Sequence, residues 1–282
     1  MKNFKTKTAV VTGSASGIGF ALAERLGAEG MNLVLADIST DALAEAVVSM
    51  KSRDCSCIGI VTDVSDEAGV ENLLAEAKGR FGNIHIIANN AGVISTPNLS
   101  WEQPVAEWQR NLDVNLWGVI HGIRTFVPHM LAHGEKSHVV NTASLGGLIA
   151  EPYLSPYHVS KFGVISASES LYYELAMTES NIGVSVVCPG FVDTNLLRQE
   201  GAEFASEEDS SLQQVANVFE EGVAGGLSPD EVAAMTIAAI RADKLHVMTH
   251  SYTNDLLHVR LDAILAGENL PLTEKLENAF KT

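Results

Sequence analysis

The sequence has few cysteines, few cationic residues and no long uninterrupted apolar run. Its three cysteines, Cys55, Cys57 and Cys188, are an odd number, which is typical of a reduced chain and predicts a cytoplasmic location rather than a disulfide framework. Lysine and arginine number 18 against 35 aspartates and glutamates, and the resulting net charge of −17 disfavours nucleic acid and anionic membrane surfaces as partners. No run reaches the ~18 apolar residues of a membrane-spanning helix.

What is present describes a globular chain. Of its 282 residues, 46% are apolar and 19% are charged, which is enough apolar surface for a sizeable core. At roughly 150 residues per domain, this length fits one large domain or two small ones.

Short apolar runs alternate with longer amphipathic stretches, and this pattern predicts strands followed by helices. The runs are apolar on both faces, which is typical of a parallel sheet covered by helices on each side. We therefore predict an α/β fold, a doubly wound parallel sheet (Rossmann fold) in three αβα layers, as a single domain over residues 1–282. The predicted strands are 8–12, 32–36, 57–61, 84–88, 139–142, 183–187 and 245–248, and the predicted helices are 17–29, 40–51, 66–80, 101–130, 156–177, one from 228 onward and 253–265.

A glycine-rich turn joins the first predicted strand to the first helix. It reads Thr12-Gly13-Ser14-Ala15-Ser16-Gly17-Ile18-Gly19, a G-x-x-x-G-x-G spacing. Glycines let the backbone turn sharply and approach a pyrophosphate, and the N–H groups at a helix start favour its negative charge. A plain tight turn is the alternative, but the position between strand and helix favours phosphate binding.

Acidic and amide side chains follow the next predicted strands. Asp37 comes after the second strand, where a carboxylate can accept hydrogen bonds from both hydroxyls of an adenine ribose and repels a 2′-phosphate. This favours NAD over NADP, with a solvated loop aspartate as the alternative. Asp63-Val64 and Asn89-Asn90-Ala91-Gly92 end the third and fourth strands, where ligands bind in open α/β sheets.

Tyr157 and Lys161 stand four residues apart near the start of a predicted helix and therefore share a face. A phenol titrates near ~10, and a neighbouring ammonium favours the phenolate that a base needs at neutral pH. Ser144 ends the fifth strand, where its hydroxyl can hydrogen-bond a substrate oxygen. Taken alone, the first two could be an ordinary surface pair and the serine a turn residue.

Together, these motifs resemble the short-chain dehydrogenase/reductase family in its NAD-type branch, over about residues 5–195. The resemblance implies that Tyr157 is the general acid/base and that Lys161 holds the nicotinamide ribose and lowers the tyrosine pKa. It also implies that Ser144 orients the substrate and that Asn115 holds a water of a proton relay. The implied NAD contacts are Gly13, Ser16, Gly17, Ile18, Gly19, Asp37, Asp63, Val64, Asn90, Ala91, Gly92, Tyr157, Lys161, Pro189, Gly190, Val192 and Thr194.

By the same resemblance, residues from about 192 to 228 form a lid over the substrate. Residues 199–231 carry nine acidic side chains and no lysine or arginine, which disfavours an acyl carrier protein as partner. We expect a bulky hydrophobic secondary alcohol or ketone, steroid-like or an aryl alcohol. The alternatives are a reductase of a 3-oxoacyl or polyketide-type thioester and a non-catalytic NAD-binding regulator. The expected lining is Ile94, Leu145, Tyr153, Phe191, Leu196 and Leu197.

Small residues along the stretches 101–130 and 156–177 permit close packing, and relatives in the family are commonly tetramers. We therefore expect a homotetramer or homodimer, with mere coverage of the sheet as the alternative.

Other clusters are interpreted as structural. His129 and His133 have no third metal ligand at a suitable spacing, so we interpret them as solvated or capping residues and predict no metal site. Cys55 and Cys57 are interpreted as small half-buried residues, and His158 receives no role in the mechanism.

Overall fold

A computed structural model describes residues 1–198, 217 and 221–270, without the side chains of residues 197 and 198. Its strands are β1 (Thr8–Thr12), β2 (Asn32–Asp37), β3 (Cys57–Val61), β4 (Ile86–Asn89), β5 (Ser137–Thr142), β6 (Ile182–Cys188) and β7 (His246–Met248). The helices are α1 (Gly17–Ala28), α2 (Thr40–Lys51), α3 (Glu67–Phe81), α4 (Val105–Asn111), α5 (Gly118–His133), α6 (Ser155–Met177), α7 (Pro229–Ala242) and α8 (Tyr252–Ala266). A π-helical segment, Leu112–Trp117, joins α4 to α5, and short 3-10 turns lie at Leu145–Gly147 and Asn195–Arg198.

The seven strands form one parallel sheet in the order β3-β2-β1-β4-β5-β6-β7. The strand order therefore reverses between β1 and β4, which opens a crevice at the carboxyl ends of those strands. This confirms the predicted doubly wound fold. That the whole chain is one domain stays a prediction.

Each face of the sheet carries its own apolar core, because successive strand residues point to opposite sides. Val11 belongs to a buried cluster with Leu22 of α1 and Ile237 of α7. The adjacent Val10 belongs to a second cluster with Phe126 of α5. The sheet is thus covered on both faces, as a three-layer arrangement requires.

The edge strand β3 differs from the prediction of strands buried on both faces. All residues of β1 and β6 are buried, whereas Gly59 and Val61 of β3 are exposed, Val61 by 54%. The reason is position, since β3 pairs only with β2 and less of the molecule covers it.

The predicted helix 101–130 is wrong at both ends and in its middle. Pro104 takes the N-cap position, so helix α4 begins only at Val105. The chain then passes through the π-helical segment before α5, which continues beyond Pro128 to His133. A π segment at this place re-aims the side chains that follow α4, and such segments are frequent at functional sites.

Most of the predicted lid, together with six of the nine acidic residues of the stretch 199–231, lies outside the described residues. Its two ends meet, because Val192 pairs with Leu227 in a parallel bridge and the Asp193 N–H donates to the Leu227 carbonyl at 2.9 Å. Ser228 then caps α7 in a reciprocal capping box with Glu231, where a helix from 228 onward is predicted.

Within residues 1–198 and 221–270, no helix is both long and apolar enough to cross a membrane. The predicted cytoplasmic location stays a prediction.

Candidate active site

The glycine-rich turn leaves β1 at the carboxyl end of the sheet and leads into α1. Gly13 has a φ of +61°, in the left-handed region that favours glycine, and a Cβ there would lie 2.7 Å from the Cα of Ala91. The N-cap side chain, Ser16, makes no capping hydrogen bond to the first N–H groups of α1. Uncapped N–H groups at a helix start bind phosphate, so this turn can hold a dinucleotide. The predicted residues around it are Gly13, Ser16, Gly17, Ile18 and Gly19.

Thr12 and Asn90 tie the turn after β4 to the glycine-rich turn. Thr12 Oγ1 accepts from the N–H groups of Asn90 at 2.9 Å and Ala91 at 3.1 Å. Asn90 Nδ2 donates to the carbonyls of Thr12 at 3.1 Å and Gly13 at 3.3 Å, and its Oδ1 accepts from the Thr142 hydroxyl at 3.1 Å. The Asn90 side chain thus joins three strand ends, and its predicted contact with a cofactor stays a prediction.

Asp37 is held beside the glycine-rich turn by two backbone donors. Its Oδ2 accepts from the Ala15 N–H and its Oδ1 from the Ser39 N–H, each at 3.0 Å. Each carboxylate oxygen keeps a further lone pair for a ligand hydroxyl. Asp63, which is exposed, and Val64, which is buried, follow β3 at the same end of the sheet.

Asn115 lies in the π-helical segment and is fully buried. Its Oδ1 accepts from the Val93 N–H at 2.8 Å, and its Nδ2 donates to the Val93 carbonyl at 2.9 Å. Nδ2 also contacts Ser160 Oγ on α6 at 3.0 Å. The side chain therefore fastens the turn after β4 to α6. Its predicted role in holding a water of a proton relay stays a prediction.

Tyr157 and Ser144 meet between the first turn of α6 and the end of β5. Ser144 lies close enough to the Tyr157 phenol to affect its pKa. Ser144 Oγ also accepts from the Gly146 N–H at 3.0 Å and lies 3.4 Å from the Pro189 carbonyl. Burial raises the pKa of the Tyr157 phenol above its usual value, and the Ser144 hydrogen bond partly opposes this rise.

Lys161 is buried one turn further along α6, where its Nζ donates to the Thr142 carbonyl at 3.0 Å. Its Nζ lies 5.7 Å from the centre of the Tyr157 ring. A Cβ on Gly92 would come within 3.4 Å of this Nζ, so the turn after β4 packs directly against it. Burial lowers the pKa of Lys161 to about 8. Burial is the largest cause of the pKa shift at both side chains, and the predicted lowering of the tyrosine pKa by Lys161 stays a prediction.

His158, which the sequence left without a role, belongs to this site. Its Nδ1 donates to the Gly146 carbonyl at 2.8 Å, and its Nε2 accepts from the Glu151 N–H at 3.2 Å. It therefore fastens the loop that carries Ser144 to the helix that carries Tyr157. Only its position next to Tyr157 could have indicated this, because its two partners are backbone groups.

The segment after β6 closes the site on its other side. The Leu145 N–H donates to the Pro189 carbonyl at 2.6 Å, which joins this segment to the Ser144 loop. Val192 is buried, and Thr194 lies beside the glycine-rich turn, since a Cβ on Gly17 would be 3.2 Å from its Cγ2. The predicted positions Pro189, Gly190, Val192 and Thr194 thus lie along one side of the crevice.

The predicted substrate lining is only partly described. Ile94 is buried, whereas Leu145, Tyr153, Phe191 and Leu196 are half-buried. The Phe191 ring faces residue 222, at the start of the segment that leads to α7. The Leu197 side chain lies outside the described residues.

His129 and His133 bond the backbone rather than solvent. The Ile84 N–H donates to His129 Nε2 at 3.1 Å, and His133 Nε2 contacts the Ile84 carbonyl at 3.0 Å. In the part of the chain that the structure describes, no group of three or more His, Cys, Asp or Glu residues could hold a metal ion. Cys55 is half-buried as predicted, while Cys57 and Cys188 are buried, and all three are free thiols.

Comparison with known proteins agrees with this geometry. The family described as short chain dehydrogenase matches residues 7–204. The chain is 35% identical over 250 residues to the 1-deoxy-11-beta-hydroxypentalenate dehydrogenase of Streptomyces avermitilis, covering 88% of this chain and 86% of that protein. It is 30% identical over 273 residues to the CLA biosynthesis dehydrogenase/reductase of Lactiplantibacillus plantarum, covering 94% and 95%.

Among solved structures, the chain is similar to a short chain dehydrogenase/reductase from Burkholderia phymatum in complex with NAD. The TM-score is 0.90 at 36% sequence identity, and the match covers 97% of this chain and 100% of the other.

Proposed function

Because this chain belongs to the short-chain dehydrogenase family, we propose that it is an NAD-dependent oxidoreductase that moves a hydride between the cofactor and a secondary alcohol or ketone. The observation that carries the proposal is the meeting of Ser144, Tyr157 and Lys161 at the carboxyl end of β5. They lie across the crevice from the glycine-rich turn, where a dinucleotide and a small substrate can share one site.

NAD is the cofactor that fits the residues present. The uncapped start of α1 offers N–H groups to the pyrophosphate, and the Asp37 carboxylate offers acceptors to the ribose hydroxyls. The same carboxylate repels the 2′-phosphate of NADP. The crystal structure of the similar Burkholderia phymatum protein was determined with NAD, which supports this assignment.

When bound, NAD accepts the hydride of an alcohol and NADH returns it to a ketone. In the oxidation direction, the Tyr157 phenolate oxygen takes the proton of the substrate hydroxyl, and in reduction the phenol donates it back. The Ser144 hydroxyl donates to the substrate oxygen. Its contact with the Pro189 carbonyl is long, at 3.4 Å, so the hydroxyl proton can turn from that carbonyl to a substrate. Lys161 donates from its ammonium to ribose hydroxyls, and Asn115 keeps the turn after β4 in register with α6.

The substrate proposed is a bulky hydrophobic secondary alcohol or ketone, steroid-like or an aryl alcohol. The mainly apolar predicted lining and the acidic stretch 199–231 support a neutral organic molecule over an acyl carrier protein. The name of the Streptomyces avermitilis relative specifies a dehydrogenase of a hydroxylated compound, which supports an alcohol as the substrate class.

A coupled panel of substrates tests both parts of this proposal. Steroid alcohols, aryl alcohols, simple secondary alcohols and 3-oxoacyl thioesters are each incubated with NAD(H) and with NADP(H), and absorbance at the nicotinamide band is followed. We expect turnover of bulky alcohols or ketones with NAD(H). Preference for thioesters would contradict the substrate class, and NAD binding without turnover of any compound would favour the regulator.

We also propose self-association through the helices of the 101–130 and 156–177 stretches. Three large apolar side chains on these stretches are exposed: Val105 by 81%, Trp117 by 47% and Val159 by 49%. Exposed apolar surface of this kind is typical of a protein–protein contact. Sedimentation equilibrium is expected to give a dimer or tetramer mass, and a Trp117→Glu variant is expected to sediment as a smaller species. A monomeric wild-type protein would contradict association.

A further inference from the structure

A histidine beyond the family match holds the segment after β6. His250 follows β7, outside the matched residues 7–204. Its Nδ1 accepts from the Gly190 N–H at 3.1 Å, and its Nε2 lies 3.1 Å from the Phe191 carbonyl. Because Nδ1 is an acceptor for a backbone N–H, the ring proton resides on Nε2 and donates to Phe191. One neutral imidazole therefore bonds backbone groups of two successive residues.

Two neighbours contact this histidine and the segment it holds. The Thr249 hydroxyl lies 2.7 Å from His250 Nδ1 and shares the single lone pair of that nitrogen with the Gly190 N–H. The Tyr252 hydroxyl hydrogen-bonds the Phe191 backbone, and its ring centre lies 5.1 Å from that of His250. We call Thr249, His250 and Tyr252 the C-terminal strap.

The strap explains why residue 190 is glycine. A Cβ on Gly190 would overlap the Tyr252 hydroxyl and lie 3.0 Å from His250 Nδ1. The missing side chain thus faces the strap, so this glycine is needed for close approach of protein to protein.

The segment that His250 holds, residues 189–191, directly contacts the loop that carries Ser144. The Pro189 carbonyl accepts from the Leu145 N–H at 2.6 Å and lies 3.4 Å from Ser144 Oγ. On the other side, the segment continues to Thr194 beside the glycine-rich turn. A shift of residues 189–191 would therefore move both the Ser144 loop and the predicted cofactor contacts.

We propose that His250 is a positioning residue, which holds residues 189–191 in the conformation that binds the nicotinamide end of NAD. This inference rests on the proposed function, since it assigns NAD to the crevice. Both ring nitrogens of His250 are taken up by the Gly190 N–H and the Phe191 carbonyl, so it acts through these backbone groups.

The test compares His250→Ala, His250→Gln and Tyr252→Phe with the matched control His246→Ala. His246 lies on β7 and contacts Glu169 at 2.9 Å, away from residues 189–191. Two quantities are measured for each folded variant: hydrogen exchange of a peptide covering residues 186–194 in the cofactor-free protein, and the Kd of NADH by titration. Glutamine is the rescue variant because its amide carries an acceptor and a donor on adjacent atoms.

We expect His250→Ala to speed exchange of the Gly190 amide and to raise the NADH Kd by about tenfold, the effect of one or two lost hydrogen bonds. His250→Gln is expected to restore most of both, Tyr252→Phe to give a smaller change, and His246→Ala to match the wild type. If His250→Ala itself fails to fold, Tyr252→Phe against His246→Ala carries the comparison.

Unchanged exchange or unchanged Kd in folded His250→Ala, or in Tyr252→Phe where the alanine variant does not fold, would overturn the positioning role while leaving NAD binding intact. A wild-type protein that does not bind NADH would overturn the cofactor assignment and this inference with it, which distinguishes the two failures.

Discussion

Polar side chains gather at both ends of the parallel sheet, and their partners differ. At the amino end, the Thr8 N–H donates to His85 Nδ1 at 3.1 Å, and His85 Nε2 bonds Glu135 Oε2 at 3.0 Å. Asn83 and Lys7 also contact the Glu135 carboxylate. At the carboxyl end, by contrast, the Tyr157 and Ser144 side chains lie close together beside a crevice.

The two ends differ in whether their polar side chains can still form hydrogen bonds to a ligand. At the amino end, ring nitrogens of the histidines bond the backbone and one carboxylate. These bonds hold neighbouring strands together. The carboxyl-end hydroxyls are held in place by neighbouring loops and can still exchange a partner for a ligand. Polar burial alone therefore does not mark a functional site, whereas polar groups aimed at the switch point of the strand order do.

The largest expected effect is loss of turnover when the Tyr157 hydroxyl is removed. Tyr157→Phe is expected to lower kcat by about 10²–10⁴-fold, because general acid–base catalysis contributes that much. Unfolding by urea should change little, and NADH should still bind. The control is Tyr173→Phe at an exposed position of α6, which should keep wild-type turnover. Near wild-type turnover of Tyr157→Phe would refute the mechanism.

The second effect concerns cofactor choice. Asp37→Asn is expected to reduce the preference for NAD over NADP by about 10–100-fold in kcat/KM, since a hydrogen bond to a charged group is worth ~1.5–3 kcal/mol. Asp41→Asn, an exposed change in the first turn of α2, serves as the control. An unaltered ratio of the two kcat/KM values would mean that Asp37 does not select the cofactor.

At the amino end, the same kind of truncation should affect stability and not rate. His85→Ala leaves the Thr8 N–H without its acceptor, so the free energy of unfolding is expected to fall by about 1–3 kcal/mol. Urea denaturation measures this, while kcat at a temperature where the variant is folded should equal that of the wild type. A lowered kcat in the folded variant would show that the two ends are coupled.

The smallest expected effects are those of pH. The amino end should respond at acidic pH and the carboxyl end at alkaline pH. Burial lowers the pKa of His85, and burial lowers the pKa of His138 to about 3. Because the unfolded chain then binds protons before the folded one, stability should decline as pH falls below ~6.5. The His85 hydrogen bond also lowers the pKa of Glu135 to about 2, so its stabilisation is lost between about 4.5 and 2.

At the carboxyl end, burial raises the pKa of Tyr157, so the phenolate forms only at alkaline pH and the rate of alcohol oxidation should rise with pH. Denaturation midpoints at pH 4–8 and initial rates at pH 6–10 measure the two trends. Stability independent of pH below 6.5, or oxidation that slows as pH rises, would contradict the respective pKa shifts.

Much of the fold could be predicted because local patterns are strong in this chain. The strands β1 and β3 and the helix α2 have the predicted bounds, and the capping box at Ser228 marks the start of α7. The π-helical segment could not be predicted, because one extra residue per turn leaves no trace in apolar periodicity. The exposure of Val61 depends on which strand lies at the edge, and that is a property of the whole sheet.

The residues of the site also divide into those that the sequence could identify and those that it could not. Ser144, Tyr157 and Lys161 could be found because they lie close in sequence or share a helix face. His158 and His250 could not, since their partners are peptide groups of other loops, which any residue type can supply.

The sequence by itself determined the alternation of strands and helices, the glycine-rich turn and the side chains that carry the proposed chemistry, because these depend on residue type and short spacing. Only the tertiary structure decided that burial raises the pKa of the Tyr157 phenol, that Asn115 and His158 fasten the loops around it, and that Gly190 faces His250 and Tyr252. Desolvation and backbone contacts across distant segments depend on how the whole chain packs, so they follow from the fold and not from any local motif.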